Sequence, residues 1–238
     1  PTDGKGLEGS FKQIFSELCK PTEIKYKPAR ILLSRNLVAL FRIDREWTEQ
    51  HLLPLFYWTK NKEASSMWRG FLQSPRLYFP LIVELKPNII EARLHWMEHD
   101  FNLDKFSAFI TYIALENADV IGSVELQKIY DALPLEALKR VAIVLRQVLE
   151  SASDKKANFW NNRVKPFLHE FWPKDKDKTS SELSYFLAKL AIHSDESFSD
   201  VVSVISIYLR PLDRQFYLIC KGLFETGYCE KYPQSSLI

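Results

Sequence analysis

The hydrophobic positions of this chain repeat at helical spacing along almost its whole length. In residues 137–150, apolar side chains recur every three or four positions and form one stripe, composed of Leu138, Val141, Ala142, Leu145, Val148 and Leu149. Such a stripe is typical of an amphipathic helix that buries one face. Residues 103–117 are apolar on nearly every side, which predicts a central helix covered by several neighbours.

Other segments carry the same periodicity. Helices are predicted near residues 8–19, 29–43, 45–57, 63–73, 88–100, 123–132, 156–171, 181–193, 198–209 and 213–226. Segment 198–209 is rich in β-branched residues and has a strand as its alternative, but a lone strand has no pairing partner. We therefore predict a buried helix there. Gly227 follows the last segment, at a position where glycine commonly ends a helix.

About twelve helices with short links predict an all-α fold. Consecutive amphipathic helices with short connections favour a HEAT-like α-solenoid, and a compact irregular helical bundle is the alternative. We expect residues 1–238 to form a single helical domain. Because the sequence has no initiator methionine, we also expect it to be a piece of a longer chain.

The amino-acid composition limits the classes of function that this chain can have. The 238 residues include 46% hydrophobic and 26% charged residues, as in an ordinary globular protein, and only seven glycines. A net charge of +2 is too small to indicate nucleic acid as a partner. Segment 139–178 is nevertheless basic, with ten Lys and Arg against five Asp and Glu. A helical module that binds nucleic acid through this segment is therefore the alternative function.

The cysteines and the apolar runs bear on localisation. Cys19, Cys220 and Cys229 are odd in number and widely spaced, which fits no disulfide framework and favours a reducing compartment. We expect Cys220 to be a buried apolar residue rather than a reactive thiol. No apolar run approaches the length of a membrane span. We expect a cytoplasmic protein without a membrane partner.

One short motif suggests metal chemistry. His95, Glu98 and His99 form the pattern H-x-x-E-H, which is the inverted zinc-protease motif. If residues 88–100 are a helix with a buried stripe of Ile90, Leu94, Met97 and Phe101, both histidines point to solvent, away from any enclosed cavity. A zinc hydrolase at this motif is therefore the least favoured alternative. The sequence contains neither a phosphate-binding loop nor a nucleophile elbow, so we expect no enzyme activity and no cofactor.

Aromatic residues supply the candidate binding site. They cluster in neighbouring pairs, among them Phe159-Trp160 and Phe171-Trp172. Because neighbours on a helix lie about 100° apart, one ring of each pair is a candidate for a contact surface. The partner-binding candidates are the anchors Trp68, Trp160 and Trp172, with Arg163 and Lys165 at the rim. The alternative is that these rings pack between helices.

The segment after Glu63 resembles a known family. Its core reads Trp-x-Gly-Phe-Leu-x-x-Pro-Arg, from Trp68 to Arg76, and is followed by an apolar segment that ends in Leu85-Lys86-Pro87. This is similar to the uncharacterised C-terminal helical domain found behind sirtuin-like domains in bacterial anti-phage defence proteins. The likeness covers about residues 30–210, and only Trp68–Pro87 is specific.

The resemblance implies a sensor or scaffold, not a catalyst. In such proteins an enzymatic or nucleotide-binding part precedes the helical domain, and the helices recognise a phage component or mediate assembly. No sirtuin catalytic motif occurs in these residues. We therefore expect a protein-interaction domain whose partner is a phage protein or another domain of its own parent chain.

Overall fold

The structure is a computed structural model that describes residues 3–59, 63–99, 101–175, 177–213 and 215–238. In these ranges every regular element is helical, so the all-α prediction is confirmed. The α-helices are α1 (Gly9–Leu18), α2 (Lys27–Arg35), α3 (Leu37–Ile43), α4 (Arg45–Trp47), α5 (Ala64–Phe71), α6 (Phe79–Glu91), α7 (Leu103–Asn117), α8 (Ser123–Ala132), α9 (Leu135–Ser151), α10 (Lys156–Phe159), α11 (Lys165–Glu170), α12 (Ser181–Ile192), α13 (Phe198–Ile205), α14 (Phe216–Glu225) and α15 (Tyr228–Lys231). The strand alternative for residues 198–209 is wrong, because α13 (Phe198–Ile205) and a short 3-10 helix (Ser206–Tyr208) lie there. The HEAT-like solenoid stays a prediction.

The helices form two compact units, residues 1–109 and residues 110–238. No helix in the described ranges is both long enough and apolar enough to span a bilayer.

In the first unit, α5 packs against α2 at unusually close range. A methyl group added to Gly70 would lie 2.1 Å from Ser34 Oγ and 2.6 Å from the backbone oxygen of Ile31. Only glycine permits this approach, because any other residue places a Cβ atom in the space that α2 occupies. The glycine of the Trp-x-Gly-Phe-Leu motif is therefore a packing residue.

An aromatic cluster fills the core of the first unit. The Trp68 ring meets the rings of Phe56, Phe71 and Phe106 edge-on, with centroids 5.5–6.1 Å apart. Edge-to-face pairs of this kind stabilise a core beyond the area that they bury. The aromatic residues around Trp68 thus hold α5, α7 and the turns after α4 together.

The helix predicted over residues 88–100 is wrong in its bounds. α6 instead runs from Phe79 to Glu91 and passes through Pro87. Proline removes one backbone hydrogen bond inside a helix, to the carbonyl group four residues earlier. Here Pro87 and Val83 both lie on the exposed side of α6, so that the freed carbonyl group is on the side of the helix that solvent reaches. The predicted buried stripe also fails in part, because Leu94 and Met97 are exposed.

In the second unit, α12 is the central element. It packs against α9, α13 and α14. Ser180 caps its first turn, since its hydroxyl oxygen accepts a hydrogen bond from the backbone N–H of Leu183 at 3.1 Å. Gly227 ends α14 with φ of 69°, as predicted for a left-handed cap. These helices shape the site described next.

Candidate functional site

The three predicted anchor residues are core residues. Trp68, Trp160 and Trp172 have 0% of their surface exposed, which leaves nothing for a partner to contact. Trp68 Nε1 is enclosed as well, and finds no hydrogen-bond acceptor among the described residues. This corrects the prediction that these three residues anchor a partner. In the structure their rings pack between helices, which was the alternative. The physical reason is that each indole completes a core that smaller side chains leave unfilled.

The two predicted rim residues also have internal roles. Lys165 Nζ lies 2.8 Å and 2.9 Å from the two carboxylate oxygens of Asp200, which also accepts a hydrogen bond from Trp160 Nε1. Arg163 donates to the backbone oxygen of Leu115 at 2.8 Å and so caps the C-terminal end of α7. Both side chains keep some exposed surface, but their charged groups are already engaged within the unit.

Many cations of the basic segment 139–178 are likewise engaged within the unit. Four of its cations form ion pairs within the second unit: Lys139 with Glu136 and Glu182, Arg146 with Glu150, Lys156 with Asp195, and Lys165 with Asp200. Three others, Arg163, Lys174 and Lys178, donate to backbone carbonyl groups. A phosphate backbone is bound by cations that face outward. This pairing therefore counts against a nucleic-acid surface along the segment.

The zinc-like motif lies in a turn rather than on a helix. The His95 ring stacks on the Trp58 ring with centroids 4.3 Å apart, and His95 Nδ1 lies 2.6 Å from Glu98 Oε1. The expectation that both histidines point to solvent is wrong for His95, which is half-buried, because the helix on which it was based ends at Glu91. Among the described residues, no cluster of three or more His, Cys, Asp or Glu side chains is placed to hold a metal ion.

The second unit contains an apolar groove between α12, α13 and α14, with a volume of about 750 Å³. We name it the α12–α14 groove. The residues along it are Ser184, Ala188, Ala191 and Ile192 of α12, Phe198, Val202 and Ile205 of α13, Ser206 and Leu209 to Leu212 after α13, Phe216, Ile219, Cys220 and Leu223 of α14, Cys229 of α15, and the C-terminal residues from Ser235 to Ile238. The groove exists because α12 presents small residues where a leucine would fill the space. Its size and lining are typical of ligand pockets.

The hydroxyl groups of the groove are satisfied within the unit. Ser184 Oγ donates to the backbone oxygen of Ser180 and accepts from the backbone N–H of Arg210. Ser235 Oγ lies 2.8 Å from Ser199 Oγ, and Ser236 Oγ donates to two backbone carbonyl groups. The inner surface is therefore apolar in effect, and Arg210 is the one charged side chain among the described residues that line it.

Away from the groove, α14 also carries large apolar side chains, and these are exposed. Tyr217, Leu218 and Phe224 have 72%, 45% and 81% of their surface exposed. We name these three residues the outer face of α14. Tyr217 and Phe224 are seven residues apart and point the same way, with the Lys221–Glu225 ion pair beside them. Large apolar side chains grouped on a surface are a mark of interaction sites.

Sequence reasoning missed both features, although a signal for them exists. Segment 216–224 reads FYLICKGLF, in which Lys221 is the one charged residue, so that apolar side chains extend well beyond a single face of the helix. A helix with two apolar faces needs two coverings. In this unit the inner face packs against α12 beside the groove, and the outer face is left to solvent.

Comparison of the chain with protein-family models, with curated proteins and with solved structures finds no match.

Proposed function

We propose that this chain is a non-enzymatic protein-interaction domain that contacts its partner through the outer face of α14. The observation that carries the proposal is the exposure of Tyr217, Leu218 and Phe224 on a single helix. Large aromatic side chains that become buried on binding contribute most of the affinity in many interfaces. The partner is accordingly a protein with an apolar cleft that accepts the Tyr217 and Phe224 rings.

The resemblance of Trp68–Pro87 to the helical domain of anti-phage defence proteins supports the biological setting. On that resemblance, the domain is the sensor or scaffold part of a bacterial cytoplasmic protein. The partner is then a phage protein, or another domain of the parent chain. The HEAT-like arrangement of the helices belongs to the same proposal.

The internal pairing of segment 139–178 favours a protein partner over nucleic acid. A nucleic-acid contact depends on unpaired cations and weakens steeply as salt rises. A contact made by Tyr217 and Phe224 buries apolar surface, and salt changes it little. Salt dependence therefore separates the two functions.

The test is a pull-down from phage-infected and uninfected bacterial lysates, followed by titration of the purified partner. We expect the wild-type chain to hold its partner at high salt, and the Tyr217→Ser/Phe224→Ser variant to bind it at least about 30-fold more weakly, as for a hot-spot residue. Met97→Ser is the matched control, because Met97 is 97% exposed and lies outside this face. Equal binding by the double variant, or binding of nucleic acid that salt removes, would refute the proposal.

A further inference from the structure

The α12–α14 groove has the chemistry of a site for an aliphatic chain. Its volume of about 750 Å³ lies within the range of small-molecule pockets, and is too small for a packed helix with its side chains. Its walls are aliphatic along their middle, with Ala188 and Ala191 on one side and Ile219 and Leu223 on the other. An occupant of this groove gains affinity by moving apolar surface out of water.

The polar groups of the groove limit the occupant further. The hydroxyl groups of Ser184, Ser235 and Ser236 already have partners within the unit. A ligand with hydroxyl or amide groups along its length would bury them without compensation, which is costly. The body of the ligand is therefore a hydrocarbon.

Arg210 defines one end of the ligand. It is the only charged side chain among the described lining residues, and it follows α13 at the edge of the groove. One of its guanidinium N–H groups donates to the backbone oxygen of Leu209, and a guanidinium group has further N–H donors. A carboxylate is the group that a guanidinium binds with matched geometry and charge.

We propose that the α12–α14 groove binds a long-chain fatty acid, with the hydrocarbon chain between α12 and α14 and the carboxylate at Arg210. This site uses the inner face of α14 and is separate from the outer face assigned to the protein partner. It is therefore tested on the purified chain alone.

The first measurement is a calorimetric titration with decanoate, dodecanoate and tetradecanoate, each below its micelle concentration. We expect affinity to rise about fifteenfold with each added pair of methylene groups, as for their transfer out of water. Affinity that does not depend on chain length would overturn the proposal. Binding of phospholipid vesicles without binding of dodecanoate would also overturn it and would indicate a membrane surface instead.

The second measurement tests the carboxylate end. Arg210→Gln should weaken dodecanoate binding about tenfold and leave the binding of 1-dodecanol unchanged, because only the acid uses the charge. A variant that merely disturbed the fold would weaken both ligands alike. Equal loss for the two ligands, or no loss for dodecanoate, would contradict the role of Arg210.

The third measurement tests the place of the chain. Ala188→Phe fills the groove and should abolish dodecanoate binding, whereas Ala157→Phe, on the exposed side of α10, should not. Should Ala188→Phe fail to fold, Cys220 serves as a reporter, because it lines the groove. This measurement uses the Cys229→Ser chain, because Cys229 is exposed and also lines the groove, and its own alkylation would obscure that of Cys220. Saturating dodecanoate should slow alkylation of Cys220 at least tenfold. Cys19 will not confuse the readout, because burial raises its pKa to about 12. Unchanged alkylation of Cys220 would place any bound dodecanoate elsewhere.

Discussion

Trp160 and Asp200 are joined by a hydrogen bond in which the indole Nε1 donates to carboxylate Oδ2 at 2.6 Å. The bond ties the turn after α10 to α13. It also accounts for the fully buried position of Trp160, because a buried indole N–H needs an acceptor.

The role of Asp200 predicts a stability change. Asp200→Ala leaves the indole N–H of Trp160 and the ammonium group of Lys165 without their acceptor, and should lower the free energy of unfolding by about 1–3 kcal/mol. Asp200→Asn should cost less, because its amide oxygen still accepts from the indole. Urea unfolding followed by tryptophan fluorescence measures both variants. Equal stability of wild type and Asp200→Ala would show that the bond contributes nothing.

The environment of Asp44 predicts that the folded protein loses stability in acid. Burial by itself raises its pKa, but hydrogen bonds from the backbone N–H groups of Trp47 and Leu7, with the Lys12 ammonium group, bring the pKa below its usual 3.8. A carboxylate with a lowered pKa stabilises the fold above pH 3.8, and this contribution is lost as pH falls through the pKa of the folded state. Asp44→Asn should therefore be less stable than wild type at pH 7.

The stability difference between wild type and Asp44→Asn should shrink below about pH 4 as Asp44 becomes protonated. Urea unfolding at a series of pH values from 7 to 2 measures it. A difference that stays constant over this range would show that Asp44 titrates alike in the folded and unfolded states.

Gly70 predicts sensitivity to a single methyl group. Gly70→Ala places a Cβ atom 2.6 Å from the backbone oxygen of Ile31, which cannot rotate away as a side chain can. We expect a loss of about 1–3 kcal/mol in the free energy of unfolding, as for an overpacked core. Gly9→Ala is the control, because a Cβ atom there meets nothing within 4 Å. A Gly70→Ala variant as stable as Gly9→Ala would mean that α2 and α5 separate freely.

The contacts of His95 predict that the metal content of the protein does not depend on His95 and His99. Since the His95 ring stacks on Trp58 and its Nδ1 lies against Glu98, replacing His95 and His99 with alanine should leave the metal content of the purified protein unchanged. The variant should instead be less stable, through loss of the ring contact. Elemental analysis and thermal unfolding measure the two effects. Stoichiometric zinc in the wild-type protein that is lost in the variant would instead support a zinc site at His95 and His99.

The helices were predictable because they follow from local periodicity, which the sequence carries residue by residue. The segments around α8, α9 and α12 agree with the structure to within two residues at each end. Pro87 misled the prediction, because a proline signals a break unless its freed carbonyl group faces water. Whether Val83 faces water depends on tertiary packing, which a single sequence does not state.

The candidate site was less predictable for a related reason. By residue type, Trp68 and Trp160 suit an interface as well as a core. Only the packing of helices that are distant in the sequence decides whether a tryptophan lies in the core or at an interface. The α12–α14 groove likewise depends on Ala188 and Ala191 facing α14 across a gap. The two apolar faces of α14 were visible in segment 216–224, but the sequence alone did not tell which face would be covered.

The central claim is that the outer face of α14 binds a protein, and site-specific photocrosslinking tests it most directly. A photoreactive phenylalanine at position 224 should crosslink to one protein at high salt in phage-infected or uninfected lysate, while the same group at position 97 should not. That protein, once purified, should bind the wild-type chain and lose at least about 30-fold in affinity for the Tyr217→Ser/Phe224→Ser variant. Crosslinks that are the same from both positions, or a purified protein that binds wild type and variant equally, would contradict the account.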